Sequence, residues 1–423
     1  MLIDGSLSPG LLNVDVLMPF LTERTGLVGM DALSWLIVWI CGGVATIVIL
    51  SAIGAPRFFS LIFVVFFFLG STFATVAINN LLLFYGSWEL TAIAGWGIGK
   101  VAMRGNNTFL GALPVNGLGS LGSVSMLTLV LLLFMQNRDL SMLGLETSSP
   151  TLVALLLLAA VLLKSFGLLS TAWFKGDGRT FSIGNAALAG AGVIAVGIYP
   201  YLRITADVLG PGGEWREAAV WTTLGIAALF SFAALREFDL YKLVFYATLS
   251  QLCVLIATIT FPRAQLSGWV LMLVPFVAGS VGLFLAAGLA EQAARERNTG
   301  RMGNLARREP VLALLFFLCL MSAAGVPPLG SFVGKLLISQ DILGRDDIAL
   351  LLLWTAIWII TVWYLLRAFS LAFLGASSQP SFARANRLAM LPLAITVGFL
   401  FYVTFWQNEV ISWTTAALMF APG

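Results

Sequence analysis

One long apolar run of the sequence contains a single charge: Thr151-Leu-Val-Ala-Leu-Leu-Leu-Leu-Ala-Ala-Val-Leu-Leu-Lys164-Ser-Phe-Gly167. A second run, Leu81-Leu-Leu-Phe-Tyr-Gly-Ser-Trp-Glu89-Leu-Thr-Ala-Ile-Ala-Gly-Trp96, carries a single carboxylate in the same kind of setting. An ionisable side chain at bilayer depth costs roughly 2.5–3.5 kcal/mol on insertion scales, so it faces a water-filled cavity or an opposite charge. Glu89 and Lys164 are therefore predicted to form an ion-pair switch inside a bundle of membrane helices, as in a transporter.

The composition of the whole chain is that of a multi-pass membrane protein. Of its 423 residues, 59% are hydrophobic and 10% are charged, whereas soluble domains have about 25% charged residues. The chain has no histidine, which excludes histidine ligands for haem or zinc and any Ser–His or Cys–His nucleophile pair. Cys41, Cys253 and Cys319 lie in separate apolar runs and are interpreted as buried apolar residues. We expect no cofactor, no metal and no nucleic-acid partner.

About twelve segments are long and apolar enough to cross a bilayer, which takes about 20 residues each. These segments are 32–53, 58–78, 81–99, 116–135, 151–171, 182–200, 218–235, 241–261, 268–290, 310–342, 348–374 and 388–412. The fold class is therefore predicted to be all-α, a polytopic helix bundle formed by one transmembrane domain over residues 31–415. Residues 1–30 lack a basic start and contain four charges, so we interpret them as an extramembrane or interfacial segment, not a signal peptide.

The distribution of lysine and arginine between alternate loops predicts the orientation, because basic loops stay in the cytoplasm. One set of loops contains Arg57, Lys100, Arg104, Lys175, Arg179, Arg236, Lys242, Arg295, Arg297, Arg301, Arg307, Arg308, Arg384 and Arg387. The other set contains Arg138, Arg203, Arg216, Arg263 and Arg345. Both termini are therefore predicted to lie outside a bacterial or archaeal cytoplasmic (inner) membrane, provided that 310–342 is one interrupted span.

Two places along the chain carry the sequence signals of a broken helix. Gly325-Val-Pro327-Pro328-Leu-Gly330 places two prolines between glycines, five residues before Lys335, and proline removes a backbone donor. Gly167, after Lys164, is predicted to be a softer interruption. Broken helices beside an ionisable residue are a transporter feature, although a re-entrant loop with Lys335 reaching to the interface is an alternative.

Five segments resemble, in chain order, the antiporter-like membrane subunits shared by respiratory complex I, Mrp antiporters, group 4 membrane-bound hydrogenases and inorganic-carbon transporters. The segments are Asn79-Asn-Leu-Leu-Leu-Phe-Tyr-Gly-Ser-Trp-Glu89, Leu163-Lys-Ser165 followed by Trp173, Asp239–Gln251, Pro310–Lys335 and Tyr364–Gly375. The match as a whole runs from about residue 31 to 412. The resemblance implies an antiporter-like fold with two inverted repeats and discontinuous helices. The family has fourteen core helices, so the first two are expected to be missing here.

The resemblance also implies a role for each matching residue. Glu89 matches the family's coupling glutamate, Lys164 its partner lysine and Lys335 the lysine at the exit side of the broken helix. Lys242 matches a lysine near a helix start, and a cytoplasmic interface charge is the alternative interpretation of this residue. Together these four residues form the predicted proton path.

The chain departs from the family pattern at the centre of the relay. Asn185 stands in the helix where the family usually has a histidine or lysine, and Ser280 stands near a central lysine position. A complete path would therefore need water molecules bridged by Asn185, Ser250, Gln251 and Ser280.

Three functions remain open from the sequence. The first is a proton-translocating or coupling subunit of a multisubunit complex of the complex I or group 4 hydrogenase type, not catalytic alone but part of an ion-translocating oxidoreductase. The second is the membrane subunit of a proton-driven bicarbonate or CO2 uptake system paired with a large zinc protein. The third is a degenerate structural subunit. The expected partners are other subunits, the lipid bilayer and protons, or Na+ in place of protons.

Overall fold

The computed structural model describes residues 27–102, 108–142, 144–173, 178–210, 213–261, 266–345, 347–376 and 387–412. Within these ranges the chain is helical, with three isolated β-bridges and no strand. Ten helices in the described part are long and apolar enough to cross a membrane. Most of the segment predicted to be interfacial, residues 1–26 of 1–30, and the last residues of the predicted domain, 413–415, lie outside the described residues.

Thirteen helices of the described chain form the bundle. They are α1 (Ala32–Ala52), α2 (Phe58–Ala77), α3 (Leu81–Ala102), α4 (Thr108–Asn137), α5 (Pro150–Leu169), α6 (Arg179–Leu209), α7 (Trp215–Arg236), α8 (Leu240–Thr260), α9 (Leu266–Ala294), α10 (Pro310–Ala324), α11 (Gly330–Leu343), α12 (Ile348–Phe369) and α13 (Arg387–Phe405). Helix α6 contains three π-helical turns, and a π-helical turn, Ser370–Leu374, extends α12. The all-α prediction is confirmed.

Capping residues explain where several of these helices begin. Asp31, Asp239 and Asp347 precede α1, α8 and α12, and each side chain accepts a hydrogen bond from a backbone N–H of the first turn. Such a bond satisfies a donor that the helix itself leaves unpaired. Pro150 and Pro310 occupy the first position of α5 and α10, where the missing N–H of proline costs nothing.

The centre of the bundle is formed by α6, α8 and α9, whose apolar windows are 100%, 89% and 94% buried. The outer helices α1, α2, α4, α7 and α12 are only 33–39% buried, as expected for helices with one face toward lipid. Small residues allow the close packing of α6, because a Cβ at Gly190 would lie 2.6 Å from Val281 of α9 and 2.8 Å from Val44 of α1. The two ion-bearing helices α3 and α5 pack against this centre.

Helix α6 extends beyond the predicted span 182–200. It contains Arg203, which the sequence analysis placed in a loop when it predicted the orientation. Arg203 is fully buried and donates to both carboxylate oxygens of Asp31 at 2.7 Å, and Asp207 lies 3.8 Å from it. Arg203 and Asp207 suggested that the helix ends near residue 200. Because both charges are paired inside the protein, the helix continues past them. The orientation itself stays a prediction.

The two predicted helix breaks have different outcomes. Helix α10 ends at Ala324, Gly325 adopts the left-handed conformation (φ 68°) and α11 begins at Gly330, so the break around Pro327 and Pro328 is confirmed. The interruption predicted at Gly167 is wrong. Helix α5 passes through this glycine and ends at Leu169, where a 3-10 turn begins, because one glycine weakens a buried helix without breaking its hydrogen bonds.

The Asp31–Arg203 pair ties α1 to α6, and its contribution to stability depends on pH. Burial alone raises the pKa of the Asp31 carboxyl, but the hydrogen bonds and charge of Arg203 outweigh burial and lower this pKa to about 2. An unfolded aspartate has a pKa of roughly 3.9. The stabilisation by this carboxylate is therefore fully present above about pH 4 and is lost as the pH falls toward 2.

Replacing Asp31 tests this pair. Asp31→Asn leaves a buried guanidinium without its carboxylate, which is expected to lower the free energy of unfolding by roughly 3–5 kcal/mol. Asp347→Asn is the matched control, because Asp347 caps α12 in the same way without a salt bridge among the described residues. Its expected loss is about 1 kcal/mol or less. Thermal unfolding in detergent at neutral pH compares the two variants, and equal losses would contradict a stabilising pair.

Candidate functional site

Glu89 of α3 and Lys164 of α5 meet within the helix bundle. Lys164 Nζ lies 2.6 Å from Glu89 Oε2, and the two side chains are 10% (lysine) and 23% (glutamate) exposed. The Trp88 ring supports the ammonium at 5.1 Å, and the indole N–H of this tryptophan donates to the Val196 carbonyl of α6 at 3.0 Å. The lysine is therefore held by a carboxylate and an aromatic face, and the sequence prediction that these two charges are neighbours is confirmed geometrically.

Helix α4 adds a third contact to the ion pair, because its backbone packs closely against α5. Ser123 Oγ accepts a very short hydrogen bond from Lys164 Nζ. The adjacent Gly122 makes this approach possible, because a Cβ at its position would lie 2.8 Å from both the Ala160 carbonyl oxygen and the Lys164 backbone nitrogen. A side chain at residue 122 would therefore push α4 away from α5 at the level of the ion pair.

A cleft between α3, α4 and α5 reaches this ion pair. Its volume is about 230 Å³, and it is lined by Glu89, Ala92, Ile93, Trp96, Gly119, Ser120, Ser123, Lys164, Gly167 and Leu168. The second oxygen of the carboxylate, Oε1 of Glu89, has no hydrogen-bond partner among the described residues. An acceptor without a partner beside a polar cleft can take a proton or a water molecule.

Lys335 lies at the broken helix and is only 4% exposed. Its Nζ donates to the Ala324 carbonyl at 3.0 Å and lies 5.5 Å from the centre of the Trp358 ring. The break exposes this carbonyl, and the carbonyl end of a helix carries partial negative charge. Lys335 thus contacts the end of α10 and is buried among protein atoms, whereas the alternative of a re-entrant loop expects its side chain to extend outward.

The relay residues predicted from sequence separate into distinct places. Gln251 and Ser280 line one buried cavity between α8, α9 and α12. Asn185 lies elsewhere, accepting from Thr171 Oγ1 at 2.8 Å. Ser250 faces α7, where its hydroxyl lies 2.8 Å from that of Ser231.

Lys242 occupies the first turn of α8, half-buried, and its backbone N–H donates to Asp239. No ion pair of the described residues includes its side chain within 4.0 Å. Of the four charged residues predicted to form the path, the structure therefore joins only Glu89 and Lys164 directly.

Sequence reasoning missed several residues that contact these groups. Ser123 and Trp358 gave no sequence signal, because a serine and a tryptophan in an apolar helix are common. Thr361, also missed, accepts from Gln251 Nε2 at 3.3 Å. Tyr364 stood in a quoted motif without a role, and it lines the same cavity as Gln251.

Residues 78–361 match the profile of the family described as "NADH:quinone oxidoreductase/Mrp antiporter, TM". This is more than half of the chain, and it includes Glu89, Lys164 and Lys335. The chain belongs to this family. Among the described residues, no group of three or more His, Cys, Asp or Glu side chains is placed to hold a metal ion.

A curated relative within the NADH:quinone oxidoreductase/Mrp antiporter family is a Na(+)/H(+) antiporter subunit of Alkalihalophilus pseudofirmus. It is 23% identical over 224 residues, which are 51% of this chain and 45% of the relative. The chain therefore spans about half the length of this curated relative in the match.

The fold of the chain is also found in solved structures of this type. A chain of the Mrp complex from Dietzia sp. DQ12-45-1b superposes with a TM-score of 0.83 at 17% identity, covering 96% of this chain and 89% of that one. A chain of respiratory complex I from Thermus thermophilus gives a TM-score of 0.75 at 20% identity, covering 94% and 86%. At these identities the likeness establishes the fold alone, and it confirms the antiporter-like fold expected from the motifs.

Substitution of Gly122 tests the packing that holds the ion pair of this family member. Gly122→Ala places a methyl group against the backbone of α5, and overpacking of this kind costs about 1–3 kcal/mol. Gly117→Ala is the control on the same helix, because a Cβ there meets nothing within 4 Å; this change is expected to be neutral or stabilising by up to about 1 kcal/mol. Thermal unfolding of the purified variants measures the difference. Equal melting temperatures would show that α4 does not pack against α5 as described.

Proposed function

We propose that this chain is the proton-translocating or proton-coupling membrane subunit of a multisubunit complex. The observation that carries the proposal is the Glu89–Lys164 ion pair, 2.6 Å apart, which lines a cleft in a bundle of apolar helices. A pair in this position costs desolvation free energy that two apolar residues would not. A transport role explains why the sequence carries it.

The chemistry of the pair supports proton release by the lysine. While Glu89 is charged and in contact, it favours the protonated form of Lys164, and when the carboxylate moves away or is protonated, burial favours the neutral amine. The opening of the pair would therefore release one proton from Lys164. Oε1 of Glu89, which has no hydrogen-bond partner among the described residues, and the cleft beside it offer a site for that proton to arrive or leave.

Lys335, at the broken helix, supports a second proton-transfer step. Lys335 is buried without a carboxylate among the described residues, and only the Ala324 carbonyl and the Trp358 ring stabilise its charge. This is a weaker partner set than a carboxylate provides. Lys335 can therefore exchange a proton in response to small changes at the break, and we assign it the exit step. Lys242 is assigned to the predicted cytoplasmic end of the path.

The partner set is part of the same proposal. The structural matches come from an Mrp complex and from respiratory complex I, which supports assembly of this chain with other membrane subunits. Exposed aromatic residues on the outer helices, among them Trp39, Phe59 and Trp363, face lipid or such subunits. We propose a cytoplasmic membrane location, with both termini outside, and H+ as the translocated ion.

Replacing Glu89 tests the function. The complex that co-purifies with the tagged chain is reconstituted into liposomes, a membrane potential is imposed with K+ and valinomycin, and proton uptake is followed with a pH-sensitive dye. Glu89→Gln keeps the hydrogen bond but removes the charge, so coupled proton uptake is expected to fall to about a hundredth or less while assembly is retained. Lys335→Ala is expected to have the same effect.

Glu217→Gln is the matched control, because Glu217 is an exposed carboxylate near the start of α7, far from the pair along the chain. It should retain wild-type uptake. Full uptake by Glu89→Gln and Lys335→Ala in an intact complex would contradict the proposal and leave a structural role for the pair. Mass spectrometry of the co-purifying proteins separates the other alternative, because a single large zinc protein would indicate inorganic-carbon uptake.

A further inference from the structure

The connection between α9 and α10 is a basic segment at one end of the bundle. Residues 295–309, which we call the basic connection, contain five arginines and two glutamates. They join α9, which ends at Ala294, to α10, which begins at Pro310. Helix α9 is long and apolar enough to cross a bilayer, and α10 packs against it. The basic connection therefore lies at the level of the lipid headgroups.

Tertiary contacts hold the basic connection in a defined conformation. It forms two short helical turns. Met302 and Leu305 are fully buried, and the backbone N–H of Asn304 donates to the Gly375 carbonyl at 2.8 Å. Basic residues that only set the orientation of a membrane protein need charge but no defined structure. Orientation alone therefore does not explain the packing of the basic connection.

Burial separates the acidic from the basic groups of the basic connection. Glu296 and Glu309 are half-buried, and Glu296 accepts from the backbone N–H groups of Arg297 and Asn298 at 2.8 and 3.0 Å. Arg297 is also half-buried, with its guanidinium 4.3 Å from the centre of the Tyr241 ring. The other four arginines are exposed: Arg295, Arg301, Arg307 and Arg308. The outer face of the basic connection is therefore positively charged.

An apolar stripe directly follows these arginines in the chain. Pro310, Val311 and Leu314 are exposed in the first turns of α10, and the side chains of Val311 and Leu314 are on residues that are each 58% exposed. Residues at this spacing share one face of a helix. A positive group at headgroup level thus continues into an apolar face at the level of the acyl chains. An anionic phospholipid has the complementary arrangement, a negative phosphate followed by acyl chains.

We propose that the basic connection and the start of α10 form a binding site for an anionic phospholipid. Arg307 and Arg308 bind the phosphate, because a guanidinium offers paired N–H donors that match phosphate oxygens. The acyl chains lie against Val311 and Leu314. Arg301 adds positive charge to the same segment. This inference goes beyond the proposed function, and it uses neither ion-pair residue and neither lysine of the proposed proton path.

A connection elsewhere in the chain shows a different treatment of arginine. Between α11 and α12, Arg345 lies 3.1 Å from Asp341 and 4.8 Å from the centre of the Phe261 ring. Its charge is compensated within the protein. The four exposed arginines of the basic connection form no ion pair of this kind with Glu296, whose Oε1 accepts from backbone N–H groups. Recognition of an anion is therefore expected at the basic connection and not at Arg345.

Lipid binding to the complex that co-purifies with the tagged chain tests the site. The complex in mild detergent is titrated with phosphatidylglycerol, or with phosphatidylcholine of the same acyl chains, and bound lipid is counted by native mass spectrometry. We expect phosphatidylglycerol to bind more tightly than phosphatidylcholine. Arg307→Gln and Arg308→Gln should each weaken phosphatidylglycerol binding about fivefold, and the double variant about tenfold or more. Phosphatidylcholine binding should not change.

Arg138→Gln is the matched control, because it removes one exposed arginine at the end of α4, outside the basic connection. It should bind phosphatidylglycerol as the wild type does. Equal binding of the two lipids by the wild type, or unchanged phosphatidylglycerol binding by the double variant, would overturn the site. Competition by inorganic phosphate at the concentration of the lipid would also overturn it, since only the arginines would then contribute.

The composition of the complex distinguishes a lipid from an acidic protein partner. Retention of all co-purifying subunits by the double variant, together with loss of phosphatidylglycerol, would support the lipid site. Loss of a subunit with unchanged lipid binding would overturn it in favour of a protein interface. Because proton uptake is measured separately, failure of the lipid site leaves the proposed function standing, and full uptake by Glu89→Gln leaves the lipid site standing.

Discussion

The cost of placing charge at membrane depth is the constraint on which this structure depends. Three basic side chains inside the described bundle are each compensated differently. Arg203 is neutralised by Asp31 and has no exposed surface. Lys164 is paired with Glu89 beside a polar cleft. Among the described residues, Lys335 contacts only a helix-end carbonyl and an aromatic ring. The strength of compensation falls in this order, from a guanidinium held by a carboxylate to an ammonium held by a carbonyl and a ring.

The backbone is shaped around these charges. A glycine at residue 122 lets α4 approach α5 closely enough for Ser123 to reach the lysine. The break between α10 and α11 exposes a carbonyl that a continuous helix would have used internally. The buried central helix α6 carries π-helical turns and many small residues, and its carbonyl at Val196 anchors Trp88 beside the pair. Packing and charge compensation are therefore achieved by the same residues.

In the middle of the bundle, neutral polar side chains occupy the region in which the family pattern has an ionisable residue. Gln251, Ser280 and Tyr364 line a small cavity between α8, α9 and α12. Neutral hydroxyl and amide groups cost less to bury than a charged lysine.

Much of this protein was determined by local sequence. Apolar runs of about 20 residues predict membrane helices because the bilayer fixes their length, the Gly325–Gly330 segment predicts a break because proline lacks a donor, and isolated charges predict a pair. Three features depended on the tertiary structure. Helix α6 continues through Arg203 because a distant aspartate neutralises it, Gly167 stays helical because neighbouring helices bury it, and Tyr364 joins Gln251 and Ser280 only through packing. Each of these features rests on contacts between residues far apart in sequence, which no local pattern encodes.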